Sequence, residues 1–288
     1  MSPISGASRP IAIFDSGIGG LPYLEAASAC LPRESFVYLA DRAGFPYGSK
    51  ARPEVKAIVL GIVARLIEAF DPKALLIACN TASQAALEAA RKAHPGLPIV
   101  GTVPAVKPAA ERSRSGVIGI LGSAGAVEDP YLDALVARYA RDVEVIREGA
   151  QELVTFVERR AATADGTERR AAVAPVIARL VERGADEIVL ACTHFLHLRE
   201  AIAAEAGDGV EVVDSREGVV RRLRQVLSER GLLNPEGPVA RERGLLNPEG
   251  PVARERGRFL LTGAEPFEDE YGLLAVAYGL SPPESSPS

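Results

Sequence analysis

Tryptophan is absent from this 288-residue chain, and aromatic residues make up only 5% of it. An aromatic platform for stacking nucleic-acid bases is therefore not expected. An excess of positive charge is also lacking: the formal net charge is −5, and no basic run is long enough to form a nucleic-acid surface. No apolar stretch reaches the roughly 18–20 residues that a membrane helix needs. Residues 1–10 lack the charged-then-apolar layout of a signal peptide. Cysteine is sparse as well. Cys30, Cys79 and Cys192 are too few, and odd in number, for a disulfide framework. They suit a reducing, cytoplasmic setting. Cys192-Thr-His194 lacks zinc-knuckle spacing and has no second Cys/His pair beside it, so no metal is expected.

What remains is an ordinary soluble composition, 47% apolar and 25% charged, long enough for one large or two medium domains. Two stretches stand out, Ala74-Leu-Leu-Ile-Ala-Cys-Asn-Thr-Ala-Ser83 and Glu187-Ile-Val-Leu-Ala-Cys-Thr-His194. Each is a short apolar run ending in Ala-Cys, followed by residues that favour helix starts. Such runs, flanked by helical patterns, read as buried parallel strands. Cys79 and Cys192 then sit at the carboxyl ends of two strands, the edge where open α/β sheets bind ligands. Their matching positions suggest two halves facing each other across a cleft, with the thiols as a pair of acid/base groups.

The rest of the chain fits an α/β alternation. Residues 10–14 read as a strand running into Asp15-Ser-Gly-Ile-Gly-Gly20, a turn that lets backbone approach an anionic group. Gly17 and Gly19 lack the third glycine of a dinucleotide site, and Asp15 alone reads equally well as a turn former. Strands follow at 35–39 and 98–101, and helices at 53–70 and 81–93. A second series has strands at 117–121, 143–146 and 210–213 and helices at 130–139, 151–160 and 171–183. Cys30 falls within the first helix pattern and reads as a small apolar residue; His94 and His197 read as structural. After a helix at 216–229, Glu229–Arg241 recurs unchanged at Glu242–Arg254. Two 13-residue copies are too short and too few for a solenoid and read as a tolerated surface insertion. A strand at 258–262, a helix at 268–278 and a disordered Pro/Ser-rich tail at 281–288 are expected to close the chain.

Asp15-Ser-Gly-Ile-Gly-Gly20, Pro46-Tyr-Gly48, Cys79-Asn-Thr-Ala82, Gly101-Thr-Val-Pro104 and Cys192-Thr-His194 occur together in this order. In that combination the chain resembles glutamate racemase, of the cofactor-independent aspartate/glutamate racemase superfamily, over about residues 10–280. The resemblance implies two similar α/β domains with mainly parallel sheets, residues 1–102 plus 213–288 and residues 103–212, with the active site in the cleft between them. It also implies racemisation of L-glutamate to D-glutamate for peptidoglycan, without cofactor, in a cytoplasmic homodimer. The family's thiols map onto Cys79 and Cys192, and its assistants onto Asp15, His194 and Glu158. Substrate contacts are expected from Asp15, Ser16, Pro46, Tyr47, Gly48, Asn80, Thr81, Ser123, Thr193 and His194.

Two bases suit this chemistry. Racemisation removes a Cα proton from one face and delivers one to the other, and a free thiol, with a pKa near ~8.5, is brought toward neutrality by a helix N-terminus or a cation. Some residues depart from the family pattern. Gly122-Ser-Ala-Gly-Ala126 stands where the family commonly has Ala-Thr-x-Gly-Thr, Ala150-Gln151 replaces Cys-Pro, and Phe195-Leu196 replaces Tyr-Pro. These changes bear on substrate identity more than on reaction type. They leave open racemisation of aspartate or a hydantoin, or a non-catalytic amino-acid-binding protein. A cysteine hydrolase built on Cys192 and His194 is disfavoured, because residues two apart on a strand-to-helix turn are poorly placed to hydrogen-bond.

Overall fold

A computed structural model describes residues 8–235 and 257–287. From residue 236 the first copy of the repeat, and all of the second, lie outside the described residues. Strand β1 (Ile11–Asp15) leads into helix α1 (Leu21–Cys30), β2 (Phe36–Ala40), a 3-10 turn at Tyr47–Ser49, and α2 (Arg52–Phe70). Then come β3 (Ala74–Ile77), α3 (Asn80–Ala93), β4 (Ile99–Gly101) and α4 (Val106–Arg112). The second series is β5 (Val117–Gly122), α5 (Ala124–Val127), α6 (Pro130–Tyr139), β6 (Glu144–Gly149), α7 (Gln151–Arg160), α8 (Gly166–Glu182) and β7 (Glu187–Leu190). A 3-10 turn at Thr193–Leu198, α9 (Arg199–Ala206), β8 (Glu211–Val213) and α10 (Arg216–Glu229) follow. The described chain closes with β9 (Gly257–Leu261), α11 (Asp269–Tyr278) and β10 (Glu284–Ser285).

Among the described residues the strands form two sheets, in the orders β10-β9-β2-β1-β3-β4 and β6-β5-β7-β8. Every pairing is parallel. The order β2-β1-β3-β4 in one sheet is repeated as β6-β5-β7-β8 in the other, so β3 and β7 occupy equivalent places. Helices cover both faces, which explains why the strands read as unbroken apolar runs. β1, β2, β3 and β7 are buried at every position.

Alternation along the strands sends side chains to different cores. Ile11 and Ile13 join the central core, which also contains Leu121, Ile146, Ile188 and Phe195 of the second series. Ala12 and Phe14 face a layer under α2 and α3, and Ile118 and Ile120 face one under α4 and α6. Each fully buried Ile or Leu contributes about 1.5–3 kcal/mol. The continuous central layer therefore binds the two series together. A buried ion pair, Lys73 Nζ with Glu34 Oε2, joins the starts of β2 and β3, with both side chains at most 2% exposed.

The expected disorder of the tail is corrected here. Glu284 and Ser285 pair with Leu260 and Leu261 as the sheet's edge strand. Pro282 and Pro283 hold the chain extended ahead of it, and Arg258 meets Glu284 at 2.7 Å. Two short helices, α4 and α5, also went unread in the sequence.

Candidate active site

The site lies where the carboxyl ends of both sheets meet. β3 ends at Ile77, and two residues later the Cys79 sulfur caps α3, accepting a hydrogen bond from Ala82 N at 3.5 Å. β7 ends at Leu190, and Cys192 precedes the 3-10 turn. Both thiols are buried and line one narrow cavity of about 10 Å³, close to the space one water needs. Ser16, Pro46, Tyr47, Gly48, Asn80, Thr81, Ser123, Thr193 and His194 line it too, with Phe45 and Val154, which the sequence reading did not name. Asp15 and Glu158 are absent from the cavity wall and stand behind it. Thr81 Oγ1 lies 3.4 Å from Ser123 Oγ, joining the first series to the second across the cavity.

The two thiols have different neighbours. On one side Cys79 Sγ donates to Ser16 Oγ at 3.7 Å, and Ser16 Oγ donates to Asp15 Oδ1 at 3.2 Å. Gly17 N donates to Asp15 Oδ1 at 2.9 Å, so the carboxylate closes the glycine turn as well. Asp15 Oδ2 accepts from Thr193 Oγ1 at 2.8 Å, which ties the glycine turn after β1 to the turn that follows Cys192. Burial pushes the Asp15 carboxyl up, against the opposing pull of His194 and these hydrogen bonds.

Burial also pushes the Cys79 thiol far above its usual range, and the Asp15 carboxylate adds to that, outweighing the Ala82 N–H. The expected lowering toward neutrality does not hold for Cys79. Its helix-start donor is outmatched by desolvation and a buried anion.

On the other side Cys192 Sγ lies 3.9 Å from His194 Nδ1, and His194 Nε2 lies 2.9 Å from Glu158 Oε2. Burial by itself would lower the imidazole. The hydrogen bonds to Cys192 and Glu158 outweigh it and hold His194 well above its ordinary value, as a cation. The expectation that residues two apart are poorly placed to hydrogen-bond here is thereby corrected, because the 3-10 turn swings His194 back toward the sulfur. Glu158 Oε2 also accepts from Ile18 N at 3.1 Å, and Oε1 accepts from Tyr271 O–H at 2.9 Å.

The glycines of the Asp15 turn make this packing possible. A Cβ on Gly17 would stand 2.3 Å from Glu158 Oε2, and one on Gly19 would stand 2.5 Å from His194 Nδ1. Tyr47, on the Pro46-Tyr-Gly48 turn, donates to Asp41 Oδ2 at 2.6 Å, and Thr262 donates to Asp41 Oδ1 at 2.5 Å. Burial, then the Asp41 carboxylate, holds the Tyr47 hydroxyl protonated. Gly48 packs so tightly that a Cβ there would lie 2.7 Å from both Ser123 Cβ and Gln151 Oε1. Both polar atoms of the Gln151 amide are buried without a protein partner, as is Asn80 Oδ1. Ala126 is buried and is not part of the cavity wall. Among the described residues no group of three His, Cys, Asp or Glu side chains could hold a metal ion.

One thiol from the equivalent strand of each parallel sheet, both lining one buried cavity, defines the class: an α/β enzyme with two acid/base groups at one site. Comparison with known proteins agrees. A profile of the Asp/Glu/Hydantoin racemase family matches residues 23–223. The chain is similar to the glutamate racemase of Sphingopyxis alaskensis, 47% identical over 74% of this chain and 80% of that one. It is also similar to the glutamate racemase of a Roseiflexus species, 42% identical over 79% of this chain and 82% of that one. Among solved structures, that of Escherichia coli glutamate racemase, in complex with L-glutamate and the activator UDP-MurNAc-Ala, superposes with a TM-score of 0.82. It is 28% identical, with 96% of this chain and 98% of that chain covered. The chain belongs to the Asp/Glu/Hydantoin racemase family and is an isomerase.

Proposed function

We propose that this protein interconverts L- and D-glutamate without a cofactor, with Cys79 and Cys192 as the two acid/base groups. The observation that carries the reading is the pairing of two buried thiols on one cavity with different electrostatic surroundings. Cys79, beside the Asp15 carboxylate, is kept as a thiol, while Cys192 faces the His194 cation. In one direction Cys192, as thiolate, takes the Cα proton and Cys79 delivers its own to the opposite face. In the other direction the roles exchange. The negative charge that develops toward the substrate carboxylate is met by the Thr81 hydroxyl and by backbone N–H groups at the starts of the two helical turns, while Ser16 and Thr193 give their hydroxyl protons to Asp15. Asn80 Oδ1, buried and without a protein partner, is suited to accept from the substrate ammonium. Pro46, Tyr47, Gly48 and Ser123 form the wall nearest the substrate side chain.

The glutamate racemases to which the chain is similar motivate the choice of substrate. With it come a role in supplying D-glutamate to peptidoglycan, a cytoplasmic location, a homodimer, and the domain division at residues 102 and 213. Racemisation of L- and D-glutamate in deuterium oxide, following optical rotation and Cα deuterium together, tests the reading. Loss of rotation from both enantiomers with deuterium entering the product is expected. Rotation that persists, with no deuterium at Cα, would overturn it.

A further inference from the structure

The hydrogen-bonded path that begins at Cys192 does not stop at Glu158. It crosses to the C-terminal helix. Cys192, His194 and Glu158 come from the second series, whereas Tyr271 is carried by α11, which follows β9 of the other sheet. Tyr271 is 5% exposed and Glu158 7%. Glu158 Oε2 is engaged by both His194 Nε2 and Ile18 N, while Oε1 takes the Tyr271 hydroxyl at 2.9 Å. The Tyr271 ring is fixed in turn by Phe259 of β9, with centroids 6.4 Å apart, and Phe259 by Tyr38 of β2 at 5.7 Å. Tyr38 donates to Gly17 O at 2.8 Å, which returns the chain of contacts to the turn that packs on Glu158.

We propose that Tyr271 is a positioning residue for the reaction. Its hydroxyl fixes the Glu158 carboxylate in the rotation that orients His194 toward Cys192, so the second thiol is set up by a side chain from α11, the helix that follows β9 of the other sheet. This rests on the two-thiol reading above. Burial, reinforced by the Glu158 charge, keeps the Tyr271 hydroxyl protonated, so it remains a donor at any working pH. Without it Oε1 loses that donor, and the carboxylate gains freedom to rotate about its terminal bond. The groups that act on this carboxylate and on Tyr271 are His194, Asp15, Tyr38, His197, Arg42 and Glu268.

Tyr271→Phe keeps the ring contact with Phe259 and removes only the donor. The test compares Tyr271→Phe, Glu158→Gln and the double variant, measuring kcat and KM for both glutamate enantiomers across pH. In Tyr271→Phe the expected result is a kcat about tenfold lower with KM nearly unchanged. The double variant should be no slower than Glu158→Gln alone, since Tyr271 acts through that carboxylate. Wild-type behaviour of Tyr271→Phe beside a damaged Glu158→Gln would overturn the proposal and leave the thiol assignment standing. Losses that multiply in the double variant would also overturn it. A fully active Glu158→Gln would remove the His194–Glu158 relay from the mechanism, and the proposal with it.

Discussion

Gly17→Ala adds one methyl group to the molecule and removes no titrating side chain. The new Cβ would lie 2.3 Å from Glu158 Oε2, 2.8 Å from Cδ and 2.9 Å from Oε1, against ordinary contacts of 3.4 Å and more. The three nearest atoms all belong to one carboxylate, so that group must retreat by about 1 Å, or the turn must lift by as much. Retreat of the carboxylate disturbs both the 2.9 Å bond to His194 and the 3.1 Å bond to Ile18 N, whereas lifting the turn stretches only the bond to Ile18 N. Misplacing a catalytic group by about 1 Å costs on the order of 100-fold in rate. Losing hydrogen bonds to a charged group costs about 1.5–3 kcal/mol each in stability. The variant should therefore fold with a lowered Tm and racemise glutamate about 100-fold more slowly, as followed by circular dichroism. Gly61→Ala is the control. It lies within α2 with nothing within 4 Å of its added Cβ, so it should keep full activity and gain up to about 1 kcal/mol. If Gly17→Ala keeps kcat within about threefold of wild type, the added methyl does not push Glu158 away from His194, and the reasoning from this clash is refuted.

Three further outcomes are expected. Cys79→Ser and Cys192→Ser should each cut racemisation in both directions by about 10²–10⁴-fold, since a serine hydroxyl is a far weaker acid; near-wild-type turnover in either would falsify the two-base assignment. Lys73→Met strands the buried Glu34 carboxylate and should cost about 3–5 kcal/mol in urea unfolding, whereas a change below about 1 kcal/mol would mean that the pair is not isolated from water. His197 is held down to about 4, foremost by burial and against its hydrogen bond to Ile18 O. Its folded value lies below its unfolded value of about 6.5, so its stabilisation is complete above that pH and is lost as pH falls from about 6.5 toward 4. Tm should decline over that window in wild type and less steeply in His197→Gln, and parallel slopes would reject the assignment.

Much of this site is legible in the chain because its parts are local. An apolar run that ends in Ala-Cys must surface at a sheet's carboxyl edge, and two such runs place two thiols there. The glycine turn after Asp15 announces a close approach, though not what approaches; the structure shows that it is Glu158 and His194. The depth of burial around Cys79, which reverses the expected direction of its acidity, depends on both series closing together and is invisible locally. Tyr271 was missed for the same reason. Nothing in Asp269–Tyr278 distinguishes it from any core tyrosine, and its partner lies 113 residues earlier in the chain. The tail misled in the opposite sense, since a Pro/Ser-rich composition signals weak burial but does not exclude pairing on a sheet edge that is already formed.

The repeated strand order has a consequence for kinetics. The two thiols occupy the same topological place in two versions of one layout, yet one is dressed with Ser16 and Asp15 and the other with His194 and Glu158. Mirror-image amino acids have identical free energies in water, so a racemase must have the same kcat/KM for either enantiomer, however unlike its two bases are. The chemical inequality built into the two halves therefore cannot favour one product. It can show only in how each direction divides that shared ratio between kcat and KM, which lets the halves diverge in their surroundings while the equilibrium stays where the substrate sets it.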